Sequence, residues 1–263
     1  MRSLNIASTG MLAQQLNVEV ISNNIANMNT TGFKRQRAEF QDLLYQNLER
    51  VGSSSSDQGT IIPTGIQVGT GVKTASVYRI MQQGNLNTTE NPYDIAIEGK
   101  GFFRIRMPTG ETGYSRAGTF AVNAQGQIVT PDGYTVEPGI TIPQDATSVK
   151  INNSGQVFVR LAGQTTDTQV GQFDLATFAN EAGLESQGSN IYFETAASGT
   201  AQTGTPGSTG FGTLTQGSLE TSNVNAVSEI TSLITAQRAY EMNSKVVTVS
   251  DEMLSMTSRL THG

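Results

Sequence analysis

Few residues in this chain have types and spacings that suggest chemistry. EGKGFF (98 to 103) sets Lys100 between Gly99 and Gly101, the composition of a loop whose backbone N–H groups cradle a phosphate. The rest of that pattern, Gly-x-x-x-x-Gly-Lys-Ser/Thr leading into a helix, does not follow. Just upstream, ENPYDIAIE offers Glu90, Asp94 and Glu98, carboxylates of the kind that pair in glycoside hydrolysis. On a strand Asp94 and Glu98 share one face with Ala96 between them, and no apolar pocket that would tune either is readable. Asp132 and Asp145 fall in turns. Serines are abundant, but His262 is the only histidine and next to last, so a serine nucleophile has no base. With no cysteine, disulfides, thiolates and cysteine zinc sites are excluded. No catalytic residue, metal site or cofactor is expected; the chain reads as a non-enzyme.

Charge narrows the class further. The 263 residues carry 16 basic and 22 acidic groups, a net −6, which argues against non-specific binding to nucleic acid or anionic lipid. Lys34, Arg35 and Arg37 are followed by Glu39 and Asp42, a mixture of signs that makes a poor DNA handle. Only 14% of residues are charged, against about 25% in ordinary soluble domains. Uncharged amides, hydroxyls and glycine take their place, a surface with little repulsion between copies. No window approaches the ~20 apolar residues that span a bilayer. The start, MRSLNIASTGMLAQQLNVEV, lacks the apolar run of a cleaved signal peptide. No membrane insertion is expected, and any export would use a route that reads no such peptide.

The two ends are predicted to be helices with heptad stripes. In the first 28 residues one seam runs Leu4, Met11, Val18, Ile25 and the other Ala7, Gln14, Ile21, Met28, the 3.5-residue spacing of a coiled coil. At the far end Ala239, Val246, Met253 and Leu260 form one seam and Met242, Val249 and Met256 another. Leu233, Tyr240, Val247 and Leu254 lie beside the first, a stripe wide enough for more than one partner helix. Asn225 is placed to cap the second helix, with Ser228 and Glu229 in its first turn, and Glu241 and Lys245 form an i,i+4 pair. The first helix is expected to stop at Asn29-Thr30-Thr31-Gly32, where Gly32 can turn left-handed. Between Met1 and Phe33 only Arg2 and Glu19 are charged. The polar side of that helix is therefore expected to rest against protein, where amides pair at lower desolvation cost than ions.

The middle has period two. KINNSGQVFVRL (150 to 161) reads as a hairpin turning through Asn152-Asn153-Ser154-Gly155. Residues 101 to 107, 119 to 123, 133 to 142, 169 to 178 and 190 to 195 read as further strands, with turns at 123 to 126 and 131 to 133. Residues 51 to 60 and 196 to 210 read as loops. QGNLNT (83 to 88) echoes QGSLET (216 to 221), a match that would suit paired strands flanking the β region. The expected class is α+β: terminal heptad helices forming a coiled-coil domain (1–35 and 222–263), a connecting segment (36–80 and 205–221), and a central antiparallel β domain (81–204).

SNNIANMNTTGFKR (22 to 35) strongly resembles the N-terminal signature of the bacterial flagellar axial proteins of rod and hook, and ETSNVNAVSEITSLITAQRAYEMNSKVV (220 to 247) resembles their C-terminal one. GFKRQRAEFQDLLYQ, the Ser-rich run after it, GTG at 69 to 71, GNL and DIAIEGKGFF extend the likeness along the whole chain, toward the distal-rod branch of that family. The resemblance implies a structural subunit of a rigid helical tube that carries motor torque through the cell envelope to the hook, with terminal helices bundled inside and β domains outward. It implies homopolymerisation and contacts with proximal rod and hook proteins, with outer-membrane and peptidoglycan ring proteins, and with the flagellar export apparatus, in a rod crossing the periplasm. Asn23, Asn24, Asn27, Asn29, Gly32, Phe33 and Lys34 become an assembly turn, and residues 46 to 65 an insert of the straight rod that the bendable hook lacks. The alternatives are another axial protein (proximal rod or hook) and, more remotely, a secreted β-rich protein that binds or hydrolyses peptidoglycan. Because an isolated helix of this length is marginal in water, both termini are expected to gain order when a subunit joins the growing end.

Overall fold

The computed structural model describes residues 2–49, 65–164 and 166–262, with only the backbone at 49, 261 and 262. Most of the expected rod insert (46 to 65) and the side chain of His262 therefore lie outside the described residues. Helix α1 spans Arg2–Ala26 and helix α2 spans Ala226–His262, with antiparallel β-structure between them. The class is α+β. No described helix is long and apolar enough to cross a membrane. The chain separates into two compact units.

The first unit comprises Met1–Ile25, Gln36–Tyr78 and Ala226–Gly263. Helix α2 begins one residue after Asn225. Strand Tyr45–Glu49 pairs antiparallel with Ile66–Gly69, a ribbon that exposes Leu44, Tyr45, Leu48 and Ile66.

The second unit comprises Ala26–Arg35 and Arg79–Asn225. Its largest sheet is built around strand Phe102–Arg106, whose neighbours are Thr112–Ser115, Thr135–Val136 and Leu175–Thr177, all antiparallel. Alternation puts Phe102 on one face, with Tyr114, Phe178, Leu184 and Tyr192. Phe103 lies on the other, with Ile95, Ile97, Phe120, Phe173, Leu175 and Leu214. Both faces of this strand are thus covered, which is why consecutive phenylalanines fit where a half-solvated strand would alternate with polar residues. Phe103 meets Phe120 edge-on at 5.0 Å, a favourable aromatic geometry.

The hairpin at 150 to 161 forms as its sequence predicts: Ala146–Ile151 pairs with Gln156–Leu161. Asn152 Oδ1 accepts from the N–H groups of Ser154 and Gln156, an Asx turn that the side chain closes locally. Asn123 does the same for Gln125 and Gln127, so Asn-x-x-Gly-Gln appears twice with one hydrogen-bond pattern. The region 169 to 178 holds two strands, Thr168–Gln172 and Leu175–Thr177, instead of one. The echoed segments meet: Leu86–Thr88 pairs antiparallel with Ser218–Glu220.

Candidate functional site

The residues that looked reactive are structurally occupied or exposed. Asp94 is buried and accepts from Thr89 Oγ1 at 2.7 Å and Asn91 Nδ2 at 2.9 Å, so its carboxylate organises a turn. It precedes the strand Ile95–Glu98 that carries Glu98, and Glu98 and Lys100 are exposed. A cleft of about 340 Å³ near Ser115, Thr130 and Asn190 has Asp132 as its one ionisable lining group, which leaves it without an acid–base partner.

The helices present a different arrangement. In the first unit Ser250 Oγ donates to Ser3 Oγ at 3.4 Å, and Asn24 Nδ2 donates to Glu229 Oε2 at 3.1 Å. Between these points Gly10 lies against Asn243, so close that a Cβ there would come within 2.8 Å of the Asn243 amide nitrogen. Ser3, Gly10 and Asn24 are whole heptads apart, as are Ser250, Asn243 and Glu229, so α1 and α2 run antiparallel along one polar, small-residue row. By heptad spacing Asn17 and Ala236 fall in the same row, and Ala236 is buried. Asn24, 1% exposed, uses its whole amide: Nδ2 also donates to Gln36 O, and Oδ1 accepts from Gln36 N–H, both at 2.8 Å.

The sequence-predicted seam residues divide around this contact. On α1, Ala7 and Ile21 are buried and Leu4, Met11, Val18 and Ile25 half-buried, while Met28 lies beyond the helix end at Ala26 and is exposed. The buried face also takes Ala13 and Val20, which the apolar heptads did not select. On α2, Leu233, Ala239, Val247 and Leu254 are half-buried. Tyr240, Met242, Val246, Val249, Met253, Met256 and Leu260 are exposed, Met253 at 61% and Leu260 at 84%. Of the residues that join the helices, Asn24 and Glu229 were singled out for other roles, whereas Ser3, Gly10, Asn243 and Ser250 were missed. Their signal was legible: a small or polar residue at every seventh position of each helix. Of the polar side of α1, Asn24 rests on protein within the chain, while Asn5, Ser8, Gln15 and Ser22 are exposed.

The turn after α1 belongs to the second unit from Ala26 onward. Thr30 N–H donates to Asn27 O and Thr30 Oγ1 to Asn27 Oδ1, both at 3.1 Å, while Asn23 and Asn29 are exposed. Gly32 has φ +68°, and a Cβ there would lie 2.9 Å from the backbone of Arg116 and Ala117, so glycine is required by both conformation and space. Phe33 is half-buried, and Lys34 is 2% exposed. Lys34 Nζ donates to Glu220 Oε1 at 2.6 Å and to Gln82 O at 2.9 Å. Arg116 Nε donates to Glu220 Oε2 at 2.7 Å, and its other nitrogens reach the carbonyls of Gly99 and Gly101. Gly84 N–H also donates to Glu220. Glu220 thus ties the first turn, the central strands and the last strand together, and Lys34 spends its charge inside the chain.

Burial pushes the Glu220 carboxyl up, but the Arg116 and Lys34 charges and their hydrogen bonds outweigh it and hold the group below its ordinary 4.5. Burial also lowers Lys34 from its ordinary 10.5, and attraction to Glu220 offsets only part of this.

Known proteins match the same parts of the chain. Three family models match separate segments of it: "Flagella basal body rod protein" at residues 4–34, "Flagellar hook protein FlgE/F/G D1 domain" at 96–159, and "Flagellar basal body rod FlgEFG protein C-terminal" at 215–260. The buried ion cluster takes Lys34, Arg116 and Glu220 from these three segments in turn. The chain is similar to the protein named flagellar basal-body rod protein FlgG in Caulobacter vibrioides, at 64% identity over 260 residues and 99% of both chains. It is similar to the proteins of that name in Borreliella burgdorferi (45% over 262 residues, 99% of this chain and 98% of the relative) and Bacillus subtilis (41% over 261 residues, 97% of both). Identity at this level over nearly the whole of each chain shows that the chain belongs to the flagellar basal-body rod protein family.

Proposed function

We propose that this chain is a structural, non-catalytic subunit of the distal flagellar rod, which polymerises into a rigid helical tube and transmits motor torque to the hook. The observation that carries this is the α2 stripe: Met242, Val246, Val249, Met253, Met256 and Leu260 form continuous heptad rows, yet all are exposed in the single chain. Contiguous apolar rows of this kind mark a protein interface, and heptad spacing fits helices of neighbouring copies packed as a coiled coil. The predicted seam on α1, from Leu4 through Met28, would contribute the other side. Side-by-side helices along the axis resist shear because close-packed side chains have little room to slide.

In this reading the termini gain apolar cover only at a growing end, which favours templated growth over free polymer. Residues 1–35 and 222–263 form the assembly domain, 36–80 and 205–221 the connection, and 81–204 the outward β domain. The turn Asn23 to Lys34 is an assembly element. Further partners are the proximal rod and hook proteins at the two ends of the tube, the envelope rings around it, and the export apparatus. Val246→Asp tests the proposal: the β unit stays folded by circular dichroism, while rods fail to assemble and motility is lost. Normal motility in that variant removes the case for the stripe.

A further inference from the structure

We propose that the polar row between α1 and α2 is a register lock: it selects the intrachain antiparallel pairing and thereby reserves the Met/Val stripe for a second copy. The apolar rows alone do not specify a register. Met242, Val249 and Met256 or Val246, Met253 and Leu260 look alike after a shift of seven residues, and flexible methionines repack readily. The polar row is not degenerate in this way. Asn24 satisfies Gln36 N–H, Gln36 O and Glu229 at once, and Glu229 is 1% exposed. Sliding α2 by one heptad sets Ala236 opposite Asn24 and leaves a buried carboxylate and amide without each other, the arrangement that costs most in a helix interface. Sterics act in the same direction. Asn243 occupies the space that the missing Gly10 side chain leaves. A shifted register would press it against Asn17 or Ser3 instead. A single buried polar residue at a seam position can fix register and partner choice in helical assemblies, and here Asn24–Glu229 and Gly10–Asn243 do so at two heights.

The lock concerns the chain itself; only the role of the reserved stripe rests on the polymer reading. The natural sequence has no cysteine, so introduced pairs report register directly. S3C/S250C probes the observed register and S3C/T257C a one-heptad slip. Each is oxidised in the purified full-length chain and in isolated basal bodies, and products are separated under non-reducing conditions. The expected result is intrachain crosslinking of S3C/S250C, favoured about tenfold or more over S3C/T257C, since one unpaired buried polar group alone is worth that ratio. Adding N24L/E229L, or Asn243→Ala as a milder second variant, erases that preference and brings in slipped and interchain products. Equal crosslinking of the two pairs in the otherwise natural chain overturns the lock, and so does an unchanged product pattern in both lock variants. A chain that keeps the native register when purified but never enters basal bodies supports the lock and overturns the polymer reading alone.

Discussion

The two units of this molecule put apolar and polar groups in opposite places. In the β unit a contiguous cluster around Phe103, Phe173 and Leu214 is wholly shielded from water. Its buried carboxylate Glu220 is paired with two buried cations, Lys34 and Arg116. In the helical unit serine, glycine, asparagine and glutamate meet between α1 and α2, and most of the large apolar side chains of α2 are exposed. The first arrangement is closed: removing the surroundings would change little about what it buries. The second is open, because most of the free energy available to α2 lies in surface that the chain by itself leaves wet.

That contrast can be broken or sharpened by substitution. The largest effect is expected for Phe103→Ala, which leaves a cavity in the β core and costs about 3–5 kcal/mol, measured by chemical denaturation of the full-length chain; a loss below ~1 kcal/mol would mean that this core is far looser than its burial implies. Next is Glu220→Ala, which strands Lys34 and Arg116 in the interior at a cost of about 3 kcal/mol. The same carboxylate predicts a pH dependence. Its folded pKa lies below its ordinary 4.5, so its contribution is fully present above that value and is lost as pH falls through the folded pKa, where the unfolded chain binds the proton first. Glu220→Gln should flatten the acid side of the stability profile; a profile identical to the parent's would assign acid sensitivity elsewhere. The smallest effect on the single chain is expected for Met253→Ser, within about 0.5 kcal/mol because the side chain is already solvated, although motility should fall. A strong loss of stability in the isolated chain would show that the stripe is covered from within, and the open–closed distinction would collapse.

Much of this architecture was readable in advance where the cause is local. Asn152 and Asn123 close their turns with their own side chains, so a five-residue pattern suffices to place them. Gly32 was recognisable as a left-handed turn residue, but the helix it was expected to end already stops at Ala26, six residues earlier. Phe102 and Phe103 announced a strand but not that both faces would be covered, since that depends on sheets and loops far along the chain. Glu220 was invisible as a hub: its partners Lys34 and Arg116 lie 186 and 104 residues away, and no spacing rule connects them.

The helices show where the boundary falls. Heptads of apolar residues are a property of the sequence, and they fixed that α1 and α2 are helices with stripes. Each helix carries several heptads at once, however, and which of them faces inward is set by what the opposing surface offers. Asn24 needs Gln36 and Glu229, Asn243 needs the gap at Gly10, and these needs are met together in only one register. Residue types and short spacings determined the two helices, their apolar stripes and the locally closed turns. Tertiary structure alone decided which face is buried, because burial belongs to a pair of surfaces and not to either one.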